Sequence, residues 1–508
     1  MICWFVNTLI CSIYKKEYEK YTSCKNIKEV QEEKLKEILE KNKDTLYGKK
    51  YNFSEIKTPE EYREKVPLTN YEDYLEYIEL IKNGEKNILT KEEIILLEPT
   101  SGSTSSSKLI PYTEGLKREF QAGIKPWIYS LYNNFPEIKK GKSYWSVTPM
   151  ATEKKYTSGG IPIGFEEDSE YFGKIENYLM DIIFASPKNI KLEKDMDNFY
   201  LKTTVKLLET KNLSLISVWS PSFLLLLIQY IEKNKKKLLK KISFRRRKDI
   251  EKYLINGEYS EVWKDLKVIS CWGDGNAAHY INDLKNIFKT AAIQPKGILA
   301  TEGFLSFPIG DEEGSRISYY SHFFEFIEME TRDVKLAYQL EAGKNYEIVL
   351  TTSGGLYRYC IGDIITVTTV KNGNPVIRFS GRKGIVSDLF GEKISEEFAG
   401  KIYEELKAQY FMLTPEKNRY RLYLKSQWKI SNLKIDEMFR RNFHYDYCRK
   451  LGQLKEIEVF ILTGEPEKEY TEYCLKKGQR LGDIKLKILS LENGWDKVYT
   501  GYLQKGEK

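Results

Sequence analysis

The chain has 508 residues, 41% hydrophobic and 30% charged, enough for real cores in a soluble protein of two or three domains at about 150 residues each. Its net charge is +8, but residues 233–248 alone hold ten Lys or Arg, so the excess is local and a broad nucleic-acid-binding face is excluded. Seven scattered cysteines without metal-ligand spacing exclude a disulfide framework and suit a reduced, cytoplasmic protein, and three histidines (His279, His322, His444) exclude a His-rich metal site.

Residues 1–14 carry no charge and include Trp4, Phe5, Leu9 and Ile10. They lack the basic start and small-residue cleavage site of a signal peptide and are too short to span a bilayer, so a packed segment is expected, with a membrane-surface segment as the alternative. Ile27, Val30, Leu35, Ile38 and Leu39 stripe an amphipathic helix over 26–43. Thr58-Pro59-Glu60-Glu61 is a capping box with proline at the first helical position; Asn70 starts the next helix and Gly84 ends it.

Residues 100–108 read Thr-Ser-Gly-Ser-Thr-Ser-Ser-Ser-Lys. Ile94–Leu97 and Leu109–Pro111 are expected as flanking strands, and Thr113 as the start of a helix. Such a loop offers backbone N–H groups, hydroxyls and one cation, as a polyphosphate requires. Ser107-Lys108-Leu109 is not the Gly-Lys-Ser/Thr ending of a P-loop, and a flexible polar linker is the alternative.

Residues 213–231 form an uncharged run of 19. Pro221 argues against a membrane span: Leu213–Trp219 reads as a buried strand, Ser220 as an N-cap and Pro221 as the first residue of a helix. Trp219 and Phe223 are candidates for lining a ligand pocket, with core packing as the alternative. Leu266–Trp272 reads as a strand, followed by Gly273-Asp274-Gly275-Asn276-Ala277-Ala278, which fits a dinucleotide turn except that Asp274 sets a negative charge where pyrophosphate would lie. Lys296–Ala300 reads as the next strand, ending in Thr301-Glu302-Gly303, with Glu302 placed to hold Mg²⁺ against phosphate oxygens. Tyr346–Thr352 is a strand, and Tyr357-Arg358-Tyr359-Cys360-Ile361-Gly362-Asp363 follows; Asp363 suits two ribose hydroxyls. The turn-rich 372–375 segment puts a boundary near 380, beyond which helices at 395–408 and 432–441 and strands at 419–425 and 455–462 describe a compact α+β domain.

Four pieces stand in one order: the hydroxyl loop ending at Lys108, Ala300-Thr301-Glu302, Tyr357-Arg358 with Gly362-Asp363, and Arg382. From about residue 30 onward the chain resembles the adenylate-forming superfamily of luciferases and acyl-CoA synthetases. Within it, it is most similar to the acyl acid–amido synthetases of the auxin-responsive Gretchen Hagen family, in a bacterial-type version. The superfamily's adenine-packing Tyr is Ile298 here, and the hinge Asp three residues after Arg is Ile385. The resemblance implies an α/β fold with a large N-terminal adenylate-forming domain of mixed sheets and helices (1–380), binding nucleotide and acyl group, and a small mobile α+β domain (381–508).

It also implies a ligase that adenylates a small carboxylic acid with ATP and Mg²⁺, then passes the acyl group to an amine, expected to be an amino acid. Ser101, Gly102, Ser103, Thr104 and Lys108 would hold the phosphates; Thr301 and Glu302 the second nucleotide motif, with Glu302 on the metal; Asp363 the ribose; and Arg382 the ribose or α-phosphate side. Lys393, beside Glu392, is the first choice for the catalytic lysine of the small domain, ahead of Lys485 and Lys487. A thioester-forming ligase of the same fold and a non-catalytic nucleotide-binding relative are the alternatives. A monomer without specific nucleic-acid partners is expected.

Overall fold

A computed structural model describes residues 2–100, 108–146, 155–164, 182–187, 190, 193, 195–274, 277–310, 312–382, 385–387, 389–390, 392, 394–450 and 453–504. The chain divides into two compact units, Met1–Ser380 and Gly381–Lys508.

In the first unit, the uncharged N-terminal stretch opens helix α1 (Ile2–Ser23), which buries Cys3, Val6, Ile10, Cys11 and Tyr14. Helix α2 (Ile27–Asn42) follows, N-capped by Asn26 and burying Ile27, Leu35, Ile38 and Leu39 as its periodicity requires. The capping box at Thr58 forms with Glu61, and Pro59 opens its helix. Strands β1 (Leu96–Pro99) and β2 (Leu109–Tyr112) pair antiparallel, with Leu97 opposite Pro111. Thr113 then caps the long helix α3 (Glu114–Asn134), its side chain accepting the Leu116 N–H.

A parallel sheet follows, in the order β3 (Lys142–Trp145), β4 (Leu213–Ser217), β5 (Val268–Trp272) and β6 (Ala292–Lys296). Strand β4 is buried throughout, and Pro221 opens helix α4 (Pro221–Leu239) behind it. No helix among the described residues is long and apolar enough to cross a membrane. The basic run is only partly solvated: Arg246 is buried and donates to the carbonyls of Leu208 and Val262.

One strand expectation is corrected. The strand is Ala292–Lys296, not Lys296–Ala300. Pro295 is tolerated because β6 lies at the sheet edge. Gly297 then passes against the Ser306 backbone so closely that a Cβ would collide. The chain reverses into a separate hairpin of β7 (Leu299–Ala300) and β8 (Gly303–Phe304), so Glu302 sits in a hairpin turn, not at the end of a parallel strand.

A seven-stranded sheet completes this unit. It runs in the order β9 (Ser306–Phe307), β10 (Ser315–Ile317), β15 (Asn374–Arg382), β14 (Tyr359–Lys371), β13 (Asn345–Thr351), β11 (Phe323–Glu328), β12 (Val334–Leu336). Asn372 and Gly373, at φ 50° and 76°, make the turn between β14 and β15.

The second unit has its own apolar core. Its sheet runs β16 (Tyr410–Glu416), β17 (Arg419–Lys425), β18 (Glu458–Leu462), β19 (Gly501–Leu503), accompanied by helices α5 (Glu396–Leu406) and α6 (Asn432–Phe439).

Candidate active site

Lys108 closes the hydroxyl loop. Its carbonyl accepts the Thr100 N–H at 2.8 Å, and its ammonium lies 5.5 Å from the centre of the Tyr71 ring. The Leu109 N–H donates to the Tyr71 hydroxyl at 2.7 Å, so that ring is anchored at the loop's foot. Ser101, Gly102, Ser103 and Thr104 lie outside the described residues.

The far end of β2 reaches the second motif. The Tyr112 hydroxyl donates to the Thr301 carbonyl at 2.6 Å, which ties the loop's second strand to the turn carrying Glu302. Glu302 is buried. Its neighbour Gly303 is required by close approach, since a Cβ there would stand 2.8 Å from His322 Nε2. That imidazole accepts the Phe304 N–H at Nε2 (3.0 Å), so Nδ1 carries the proton and donates to Glu119 Oε2 at 3.0 Å. Glu119, on α3, also accepts the Ser353 N–H at 3.1 Å. One carboxylate and one imidazole thus join α3, the Glu302 hairpin and the turn after β13. His322→Ala would leave the Phe304 N–H without its acceptor in the core and take the imidazole donor from Glu119, which would keep only the Ser353 N–H. A loss of about 1–3 kcal/mol in urea unfolding is expected, larger than a surface substitution gives.

The Tyr-Arg half of the third motif is scaffold. The Tyr357 hydroxyl donates to the Leu89 carbonyl at 2.6 Å, and its ring stacks on Tyr47 at 4.8 Å. Arg358 adopts φ 49°, a conformation disfavoured for a residue with a Cβ. Its guanidinium grips buried Glu325 through Nε (2.9 Å) and Nη2 (3.1 Å), and Nη1 donates to the carbonyls of Arg63 and Val66. The Gly-Asp half shapes the sheet. The register between β13 and β14 shifts between Glu347 and Val349, and Gly362, at φ 84°, lies in the bulged stretch opposite. Such a bulge re-aims the following side chain, here half-buried Asp363.

Asp274 of the Gly-x-Gly turn is half-buried and accepts the Phe379 N–H at 3.3 Å; its partial desolvation pushes its carboxyl above the usual range. It has a structural partner within its own unit, and Gly275 and Asn276 lie outside the described residues. Arg382 ends β15. Lys393 lies outside the described residues, but its neighbour Glu392 is buried and accepts the N–H groups of Leu389 and Phe390, each at 2.7 Å, and the Tyr420 hydroxyl. Glu392 therefore anchors its loop. Phe223 packs into the core with its ring 6.3 Å from Phe199.

Sequence reasoning missed Lys296, although it named the neighbouring Trp219. Lys296 is buried at the carboxyl end of β6, its ammonium 4.1 Å from the Trp219 ring centre, 5.2 Å from Trp127 and 5.6 Å from Trp145. Its Nζ donates to Ser217 Oγ at 2.9 Å. Burial brings its pKa down to about 7. No local signal marked it: the three tryptophans come from other elements, and the edge position of β6 is a property of the folded sheet. Among the described residues the buried hydroxyls of Thr100, Thr352 and Ser353 also have no hydrogen-bond partner, at the loop's foot and in the turn after β13. No group of three or more His, Cys, Asp and Glu that could hold a metal occurs among the described residues.

Comparison with known proteins identifies the family. Residues 16–252 match the GH3 family N-terminal domain and residues 316–382 the GH3 family central domain. The chain belongs to the GH3 family. Among relatives, indole-3-acetic acid-amido synthetase GH3.4 of Arabidopsis thaliana is 26% identical over 432 residues, covering 75% of this GH3 chain and 71% of its own. Indole-3-acetic acid-amido synthetase GH3.2 of Arabidopsis thaliana is 26% identical over 436 residues, covering 75% and 78%. The fold is that of a solved acyl acid amido synthetase, AtGH3.15 in complex with 2,4-DB, with a TM-score of 0.84 at 20% identity over 98% of this GH3 chain and 97% of that one.

Proposed function

We propose that this GH3 protein is a ligase that activates a small carboxylic acid with ATP and transfers the acyl group to an amine, most naturally an amino acid, giving an amide, AMP and pyrophosphate. The observation that carries this reading is membership of a family whose matching relatives are named amido synthetases. The same naming favours an amide over a thioester product.

In the first half-reaction the acid's carboxylate oxygen attacks the α-phosphorus of ATP and pyrophosphate leaves. Little of this needs covalent help from the protein; it needs positioning and charge stabilisation. Lys108 and the hydroxyls of the 101–104 loop are assigned to the leaving phosphates, and Asp363 to the ribose. Arg382 is assigned to the ribose or α-phosphate side, and a lysine of the second unit, Lys393, to the charge growing on the α-phosphate. The site chemistry fits a nucleotide: a lysine at a hydroxyl-rich loop, the Thr100 hydroxyl at its foot, without a partner among the described residues, and a buried carboxylate on a turn tied to the same strand. Glu302 is the residue that would hold Mg²⁺, which supplies charge neutralisation at phosphate oxygens. In the second half-reaction a neutral amine attacks the acyl carbonyl and AMP leaves. Residues 1–380 are assigned to nucleotide and acyl binding and 381–508 to a mobile unit that shields the adenylate from water. Seven scattered cysteines, none of them in a disulfide, suit a cytoplasmic setting.

The test is ATP–pyrophosphate exchange with Mg²⁺ across aromatic, indolic and short aliphatic acids. Exchange that requires one acid class is expected, falling about a hundredfold in Glu302→Ala while the variant keeps its unfolding midpoint. A folded protein that binds no ATP would overturn the reading.

A further inference from the structure

The carboxyl ends of the four parallel strands share one edge of their sheet, because Trp145 pairs with Ser217, Ser217 with Ser270, and Trp272 with Lys296. In open α/β sheets this edge is where ligands bind. Here it carries three tryptophan rings around one ammonium, with Trp127 of α3 meeting Trp145 edge-on at 5.7 Å. The indole faces replace part of the ammonium's hydration. They do not supply acceptors, and an ammonium has three donors. One is used on Ser217. Among the described residues no carboxylate forms an ion pair with Lys296, and the titratable group acting on its charge is Cys271 on β5, whose thiol burial pushes up to about 12. The Trp127 indole Nε1, also buried, has no acceptor among the described residues either. Among the described residues the cage therefore holds two kinds of donor in want of an acceptor, a lysine without a counter-charge, and flat apolar walls.

We infer that the Trp127–Trp145–Trp219 cage is a carboxylate-binding site in which Lys296 is the counter-ion and the Trp127 N–H a second donor. A monoanion with two acceptor oxygens on a flat or apolar body satisfies all three features, whereas a phosphate's greater charge has only one cation to meet it. This deepens the ligase reading by assigning a substrate's carboxylate to Lys296, and it stands on its own as a binding site. Two substrates of an amide ligase carry carboxylates: the acid to be activated and an amino acid acceptor. Binding draws the lysine towards its charged form, so carboxylate uptake and proton uptake are linked.

The full-length protein is titrated at pH 8 with phenylacetate, phenylacetamide and alanine. Tryptophan emission reports binding, and calorimetry in buffers of different ionisation enthalpy reports protons. Phenylacetate binding is expected to take up protons, and phenylacetamide binding none. Lys296→Met should bind phenylacetate about thirtyfold or more weakly with no proton uptake. Lys296→Arg, permanently charged, should bind it without proton uptake. Proton-linked binding of alanine in place of phenylacetate assigns the same site to the acceptor's carboxylate. Folded Lys296→Met that binds the same carboxylate with unchanged affinity and proton uptake overturns the proposal, as does proton-linked binding by neither carboxylate. Pyrophosphate exchange is not part of this readout, so a failure of adenylation leaves the binding result intact, and the reverse.

Discussion

Glu325→Ala is expected to cost the first unit about 3–5 kcal/mol, read as a lowered midpoint in urea unfolding. The carboxylate is 1% exposed and accepts from Arg63 Nε at 3.1 Å and from Arg358 Nε and Nη2 at 2.9 and 3.1 Å. Removing it leaves the buried Arg358 guanidinium with no anion, and a buried charge that loses its partner is far costlier than the pair was worth. Arg358 also sits at φ 49°, a conformation that persists only while its surroundings hold it. Glu325→Gln, which keeps one acceptor oxygen, should fall between wild type and alanine. A midpoint unchanged in both variants would mean the pair contributes nothing.

Lys296→Met is expected to be more stable than wild type near pH 7, by on the order of 3–5 kcal/mol, with the gain vanishing as pH approaches 10. The lysine's folded pKa is about 7 against an ordinary 10.5. Between those values the unfolded chain binds the extra proton, so wild-type stability rises with pH across that window. Below pH 7 both states are protonated and the burial penalty is present in full. The indole faces offset part of it, by about 0.5–2 kcal/mol. Methionine has similar length and no charge to desolvate. Parallel pH–stability curves for the two proteins between pH 7 and 10 would show that Lys296 is not held in its neutral form.

Local signals were legible from the sequence because their physics is local. The caps at Thr58 and Thr113, the α2 stripe and the turn at Asn372-Gly373 need only a few neighbouring residues. The strand before Glu302 was misplaced because Pro295 and Lys296 look unlike a buried strand until the edge position of β6 is known. The roles of Glu119, His322 and Ser353 were hidden for a different reason: the bonds join residues 203 and 234 positions apart. Tyr357 and Arg358 belong to a recognisable motif, yet both point their polar atoms into the scaffold, which only their partners Leu89, Arg63, Val66 and Glu325 reveal.

Those same partners set an order in time. The Tyr62 hydroxyl bonds Thr351, Thr69 bridges to Tyr359, and Tyr74 receives the Tyr357 N–H. The first hundred residues thus contribute tyrosines to a core whose other half is made some 280 to 290 residues later. At about 5–20 residues per second of synthesis, those aromatic side chains wait on the order of 15–60 s for their partners. Contacts so far apart in sequence also close slowly once both halves exist. Until the Tyr-Arg segment is made the N-terminal tyrosines lack those partners, so a nascent chain stalled before residue 359 should remain protease-sensitive from its N-terminus onward.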